Sequence, residues 1–157
     1  LFVLTPSSFS QDQIVYLDLD YVVVNTKAGK SILKELENSK NIALSKFEKK
    51  GKELKKIEEE INKQKNIISE DELRKKLIEF RKEVSTYQKN RQTVISDFNQ
   101  KKKSEFDKFF KKITPIIENY VNENKIDFVL DKKNIFVASK KKNITQEIIK
   151  IIDSKIK

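Results

Sequence analysis

The residues best placed to do chemistry are Asp18-Leu19-Asp20-Tyr21-Val22, which follow the apolar run Ile14-Val15-Tyr16-Leu17. Two aspartates two positions apart at the end of a strand could serve phosphoryl transfer, the first attacking phosphorus and the second moving the proton. That reaction also needs a lysine near the phosphate, later paired acids to hold magnesium, and a sheet of alternating strands and helices to carry them. A long helical pattern follows instead, so these acids are read as ending a strand and starting a short helix over Tyr21 to Asn25. The remaining inventory is thin. Without Cys or His, disulfides, thiol chemistry, imidazole catalysis and nearly every zinc site are excluded. With only Gly29 and Gly51, no glycine-rich loop can cradle a phosphate. The expectation is a protein that is not an enzyme and uses no metal or cofactor.

The helical pattern dominates the sequence. From Leu33 through Leu36, Lys40, Ala43, Phe47, Lys50, Leu54, Ile57, Ile61, Gln64 and Ile68, steps of three and four alternate without a break. That is a heptad seam with polar interruptions at Lys40, Lys50 and Gln64. Leu73, Leu77, Phe80, Val84, Tyr87, Arg91, Val94 and Phe98 make a second seam. It slips by eleven residues to Phe109 and continues at Ile113, Ile116 and Tyr120. An eleven-residue step relaxes left-handed supercoiling, so the pair is expected to straighten or open near Gln100 to Phe109. Pro115 is expected to bend its helix. Between the seams, Ser69 suits an N-cap and Glu70, Asp71 and Glu72 suit the positive end of a helix. So short a connection requires antiparallel packing, giving a helical hairpin over residues 28–124 with its tip near 66–71. Forty residues of helix rise about 60 Å, too long for the core of a small globule.

Either side of this hairpin the period changes. Ile14 to Leu17 reads as a strand; Ile126 to Asp131 and Asn134 to Ser139 read as two more, forming a β-hairpin about Lys132-Lys133. Thr145 is expected to cap a last helix with Ile148, Ile149, Ile152 and Ile156 on its apolar face. The expected fold class is α+β, mostly α: a long antiparallel coiled-coil hairpin projecting from a small β body made by residues 11–27 and 125–157. Ile14, Tyr16, Phe128, Leu130, Ile135 and Val137 are assigned to the buried body. A core that small buries little surface, and self-association is the remedy.

Charge and the first ten residues bear on partners and place. Thirty-four basic against twenty-four acidic residues leave a net charge of +10, which suits an acidic protein, an anionic lipid or a nucleic acid. The run Leu1 to Leu4, the break at Pro6 and the small residues Ser8 and Ser10 read as the remnant of a secretory signal peptide cut before Gln11, so the protein is expected to be exported.

These elements together carry a family resemblance. Ile14-Val15-Tyr16-Leu17-Asp18-Leu19, Thr26-Lys27-Ala28-Gly29-Lys30 and Leu33-Lys34-Glu35-Leu36-Glu37 precede the hairpin. Asp127-Phe128-Val129-Leu130-Asp131, Asn134-Ile135-Phe136-Val137 and Asn143-Ile144-Thr145-Gln146-Glu147-Ile148-Ile149 follow it. In order and spacing the chain resembles the Skp/OmpH family of periplasmic chaperones, over essentially its whole mature length. The resemblance implies a homotrimer in which strands of three chains build a small β body, with three hairpins around a cavity. It also implies that unfolded outer-membrane β-barrel proteins are held there without ATP until delivery to the outer-membrane assembly machinery.

The residues fit such work physically. Lys63, Lys65, Arg74, Lys75 and Lys76 near the tip would attract an acidic client, and Phe80, Tyr87, Phe106 and Phe110 offer sequence-tolerant contact area. Lipopolysaccharide or another anionic lipid is a further candidate ligand. A structural coiled-coil protein of the envelope and a basic nucleic-acid-binding coiled coil are the alternatives. Nucleic acid is not expected, because acids such as Glu58, Glu59 and Glu60 interrupt the basic face.

Overall fold

Asp18 ends one element and begins the next. In the computed structural model, which describes residues 12–156, strand β1 spans Ile14–Leu17 and helix α1 spans Leu19–Asn25. The Asp18 carboxylate accepts the Tyr21 amide at 2.9 Å, so it is an N-cap. The signal-peptide assignment lies outside the described residues.

The chain then turns a tight corner into α2 (Lys27–Gln64). Thr26, fully buried, donates its amide to the Val22 carbonyl and accepts the Gly29 amide on Oγ1 at 3.2 Å, closing α1 and opening α2 with one residue. The turn at residues 65–69 leads into α3 (Glu70–Glu123), which runs through Pro115 without interruption. Ser69 caps α3, its Oγ accepting the Glu72 amide at 3.3 Å. At the far end Lys125 takes a left-handed φ of 51°, and Ile126 donates its amide back to the Val121 carbonyl at 3.0 Å. This is the helix-ending geometry usually given to glycine. Strand β2 (Phe128–Asp131) and helix α4 (Thr145–Lys155) complete the elements.

By their contacts the described residues divide into two compact units, residues 34–106 and residues 12–33 with 107–156. Within the first, α2 and α3 pack antiparallel. The Phe47 and Tyr87 rings meet edge to face at 6.0 Å, Lys50 Nζ reaches Glu83 at 2.8 Å, and Lys76 Nζ donates to Gln64 Oε1 at 2.6 Å. Leu36, Leu54 and Ile61 are buried, and most other seam positions are half-buried. Lys40 and Arg91 depart from the expected seam and are exposed, since a long cation gains more from water than from a thin two-helix contact. Where the eleven-residue slip begins, Lys101 joins α3 to α2, binding Glu35 at 2.9 Å and Ser39 Oγ at 3.2 Å.

In the second unit β1 and β2 pair in parallel, Ile14 opposite Phe128 through Leu17 opposite Asp131. Parallel pairing needs a long crossover, which the helices between the strands supply. Val15, Leu17, Val22 and Val23 share the core with Phe109, Ile113 and Ile116 of α3 and with Ile144, Ile148, Ile149 and Ile152. Asp153 of α4 accepts the first amide of α2, from Lys27, at 2.7 Å.

Two expectations about this unit are corrected. No β-hairpin forms at Lys132-Lys133: Asp131 accepts the Lys133 amide and starts a single 3-10 turn over Lys132–Asn134, and residues 135–139 belong to no strand. The connection lacks the residues of left-handed preference that reverse a two-residue hairpin. Thr145 does not cap α4; it is the first helical residue, buried, with its amide donating to Asn143 Oδ1 at 3.0 Å and its Oγ1 accepting the Asp18 amide at 3.0 Å. Of the six residues assigned to the body, Tyr16 is buried in the single chain, Ile135 is half-buried, and Ile14, Phe128, Leu130 and Val137 are exposed.

Candidate functional site

In a parallel pair, residues opposite one another share a face. Val15, Leu17, Val129 and Asp131 face the helices and are buried or half-buried, whereas Ile14, Tyr16, Phe128 and Leu130 form the other face, which lies open except at Tyr16. Parallel sheets are normally covered on both faces. Four of the expected interface residues therefore fall on one uncovered apolar face. The other two, Ile135 and Val137, follow the 3-10 turn.

The polar rim of this sheet is well paired. Lys132 Nζ binds Asp18 at 2.7 Å, and its hydrogen bond, followed by the bond from the Tyr21 amide, holds the Asp18 carboxyl below its ordinary range. Lys133 does the same for Asp131 at 2.8 Å. These two aspartates are each paired with a lysine, and among the described residues no cluster of acids could hold a metal ion. Asp18 caps α1, and Asp20 lies exposed in its first turn.

In the hairpin unit the expected tip cations, Lys63, Lys65, Arg74, Lys75 and Lys76, are all exposed on the two helix ends about the turn. Phe80 and Tyr87 come together across α2 at Gly51 and Leu54, lining one groove with Val84 and Arg91. Tyr87 also lines a groove on the other side, of about 580 Å³, with Phe47, Lys46, Lys50, Lys82 and Thr86. Its hydroxyl donates to the Phe47 carbonyl at 3.3 Å. Phe47 and the lysines around it were missed as candidates; the available signal was Gly51, a helix-interior glycine on the seam side facing an aromatic residue. Phe106 is half-buried in this unit, while Phe110 belongs to the other, where it meets Phe109 edge to face at 5.6 Å. The expected client residues thus do not form one site. They form a polar tip, a mid-hairpin aromatic pair and two separate phenylalanines.

Among the described residues no helix is long and apolar enough to cross a membrane. No curated protein matches the chain in sequence. A crystal structure of a protein from Caulobacter crescentus CB15, described as a candidate outer membrane chaperone (OmpH-like), superposes with a TM-score of 0.84 at 13% identity, covering 99% of this chain and 92% of that one. At that identity the likeness establishes the fold. The sequence pattern described as Outer membrane protein (OmpH-like) matches residues 13–152. With both strands, the hairpin and most of the last helix inside that match, the chain belongs to the OmpH-like family.

Proposed function

We propose that this protein is an ATP-independent holdase of the periplasm that works as a homotrimer, binding unfolded outer-membrane β-barrel proteins between its three hairpins and preventing their aggregation before membrane assembly. The observation that carries the reading is the two-helix unit itself. It buries only Leu36, Leu54 and Ile61 to below a tenth of their surface and leaves Phe47, Phe80, Tyr87 and Phe98 half-buried, with Lys46, Lys50 and Lys82 beside Glu79 and Glu83 in the groove of Phe47 and Tyr87. Such a surface offers unspecific apolar area with long-range attraction for acidic chains, which suits many partners better than one. Binding the unfolded chain lowers its free concentration and so its aggregation. The body completes the reading: the open face of Ile14, Tyr16, Phe128 and Leu130 is the proposed trimer interface, joined by Ile135 and Val137. Anionic lipid, including lipopolysaccharide, is a proposed further ligand of the lysine-rich surface.

The test dilutes a urea-unfolded acidic outer-membrane barrel protein into the purified chain and follows light scattering and the mass of the complex. Suppressed scattering with one trimer per client is expected. Unchanged aggregation, or a monomer at micromolar concentration, refutes the proposal.

A further inference from the structure

Resting on the holdase reading above, we infer that one side of the hairpin carries a seat for a single aromatic side chain, Trp or Tyr, of an extended acidic client segment. The seat is the notch that Gly51 leaves beside Phe80, Val84 and Tyr87.

The helical register separates the two sides of the hairpin. Residues seven apart lie two turns apart on one side of a coiled-coil helix, so Leu44, Gly51 and Glu58 of α2 share a side, as do Arg81, Gln88 and Ile95 of α3. Gly51, Glu58 and Gln88 line one groove, which puts Leu44 and Ile95 on that side too. Because the helices are antiparallel, seven residues back from Gly51 and seven on from Gln88 reach the same level. There Leu44 and Ile95 stand 54% and 52% exposed. None of these four positions carries a charge. The opposite groove differs: Lys46 and Glu83 line it, and Lys50, which lines it as well, binds Glu83 at 2.8 Å and Glu53 at 3.5 Å. An apolar guest on that side must desolvate an ion pair, which costs more than covering Leu44 and Ile95.

The lining of the Gly51 groove selects the guest. It encloses about 440 Å³, with Leu54, Phe80, Val84 and Tyr87 as its apolar part. A Cβ on Gly51 would meet only the Tyr87 hydroxyl, at 3.5 Å, so the glycine leaves open space and not a tight helix contact. An apolar cavity of about 150 Å³ holds a benzene ring, so an indole or a phenol has room. Arg91 also lines the groove; it is exposed, and its guanidinium makes no hydrogen bond or ion pair with another described residue. A free guanidinium at the rim attracts the face of an aromatic ring. Glu58 and Gln88 offer acceptors to an indole N–H or a phenol O–H. A leucine guest would fill the space and use none of these groups. Two cations, Lys55 and Arg91, stand against Glu58 in the lining, which favours acidic residues beside the aromatic one. Strands of membrane barrels carry girdles of aromatic residues, so an unfolded client supplies such side chains.

The chain contains no Trp, so the emission of a Trp-bearing probe reports on the probe alone. An acidic, unstructured peptide with one central Trp is titrated with the full-length protein, and the same peptide with Leu in that place competes against it. A blue shift of the emission and weaker competition by the Leu peptide are expected. Gly51→Leu, which fills the notch, should weaken binding several-fold, and Arg91→Gln by about two- to fivefold, the size of an exposed cation–π contact. Thr86→Leu, which crowds the opposite groove, should cost less than Gly51→Leu. The inference is overturned if Gly51→Leu keeps the circular dichroism and mass of the wild type and binds the Trp peptide undiminished. It is equally overturned if the Leu peptide binds as tightly as the Trp peptide, or if Thr86→Leu loses as much as Gly51→Leu. Suppressed aggregation of an unfolded barrel protein by the same samples would then reject this seat alone. A wild-type chain that fails to suppress that aggregation rejects the functional proposal instead.

Discussion

The two glycines of this chain should respond oppositely to alanine, and the contrast tests the corner that joins α1 to α2. A Cβ on Gly29 would lie 1.9 Å from the Val23 carbonyl oxygen and 2.8 Å from Thr26 Oγ1. Neither obstacle can swing away: one is backbone of α1, and the other is a fully buried hydroxyl already bound to the Gly29 amide. α1 would have to retreat by roughly 1 Å to restore even a tight contact, disturbing Val22 and Val23 in a close-packed core. Such overpacking costs about 1–3 kcal/mol or more, against about 1 kcal/mol gained in helix propensity. The clash is with fixed backbone, so the upper end applies and Gly29→Ala should lose about 1–2 kcal/mol. A Cβ on Gly51 meets only the Tyr87 hydroxyl, at an ordinary 3.5 Å, so Gly51→Ala should gain the propensity term of about 0.8–1 kcal/mol. Neither glycine has positive φ, so the difference is one of space. Urea unfolding followed by far-ultraviolet circular dichroism at fixed protein concentration measures it. With a slope of about 1–3 kcal/mol per molar urea, the two midpoints should separate by roughly 0.6 M or more. If Gly29→Ala proves as stable as Gly51→Ala at equal slope, the account of the corner is wrong.

Asp18 and Asp131 are held below the usual carboxylate range by Lys132 and Lys133, so their contribution is complete above the unfolded value of about 3.9 and is lost as pH falls through the lowered folded values. Stability to urea should therefore decline below about pH 4, less steeply in Asp18→Asn, and an identical acid slope in that variant would exclude the pair as a cause. Leu130→Asp places a charge on the open sheet face and should dissociate the trimer, seen by light-scattering mass, while circular dichroism retains the helices; an intact trimer would count against that interface. Lys125→Gly relieves a left-handed φ of 51° and should raise stability by about 0.5–1 kcal/mol, and a loss in thermal unfolding would contradict the assignment of helix ending.

The long helices were legible because their cause is local. Alternating steps of three and four from Leu33 to Ile68, and Ser69 ahead of three acids, specify α2, the turn and α3 almost to the residue. The same holds for Asp18, whose capping role depends on a neighbour three residues away. The strands were less legible. Ile126 to Ser139 looks like a hairpin locally, but β2 pairs with a strand far back in sequence, and composition holds no record of such a partner. Thr145 was misread for the same reason, its hydroxyl being taken by Asp18, 127 residues away.

The sequence by itself therefore determined the helical hairpin, its antiparallel sense and its cationic, half-apolar surface, because periodicity and capping act within a few turns of one chain. Tertiary structure alone decided that the two strands run parallel, that their apolar residues divide into a covered and an open face, and that residues 135–137 join no strand among the described residues. Those outcomes depend on which distant segments exclude water from one another, and burial of that kind is settled only when the chain has folded.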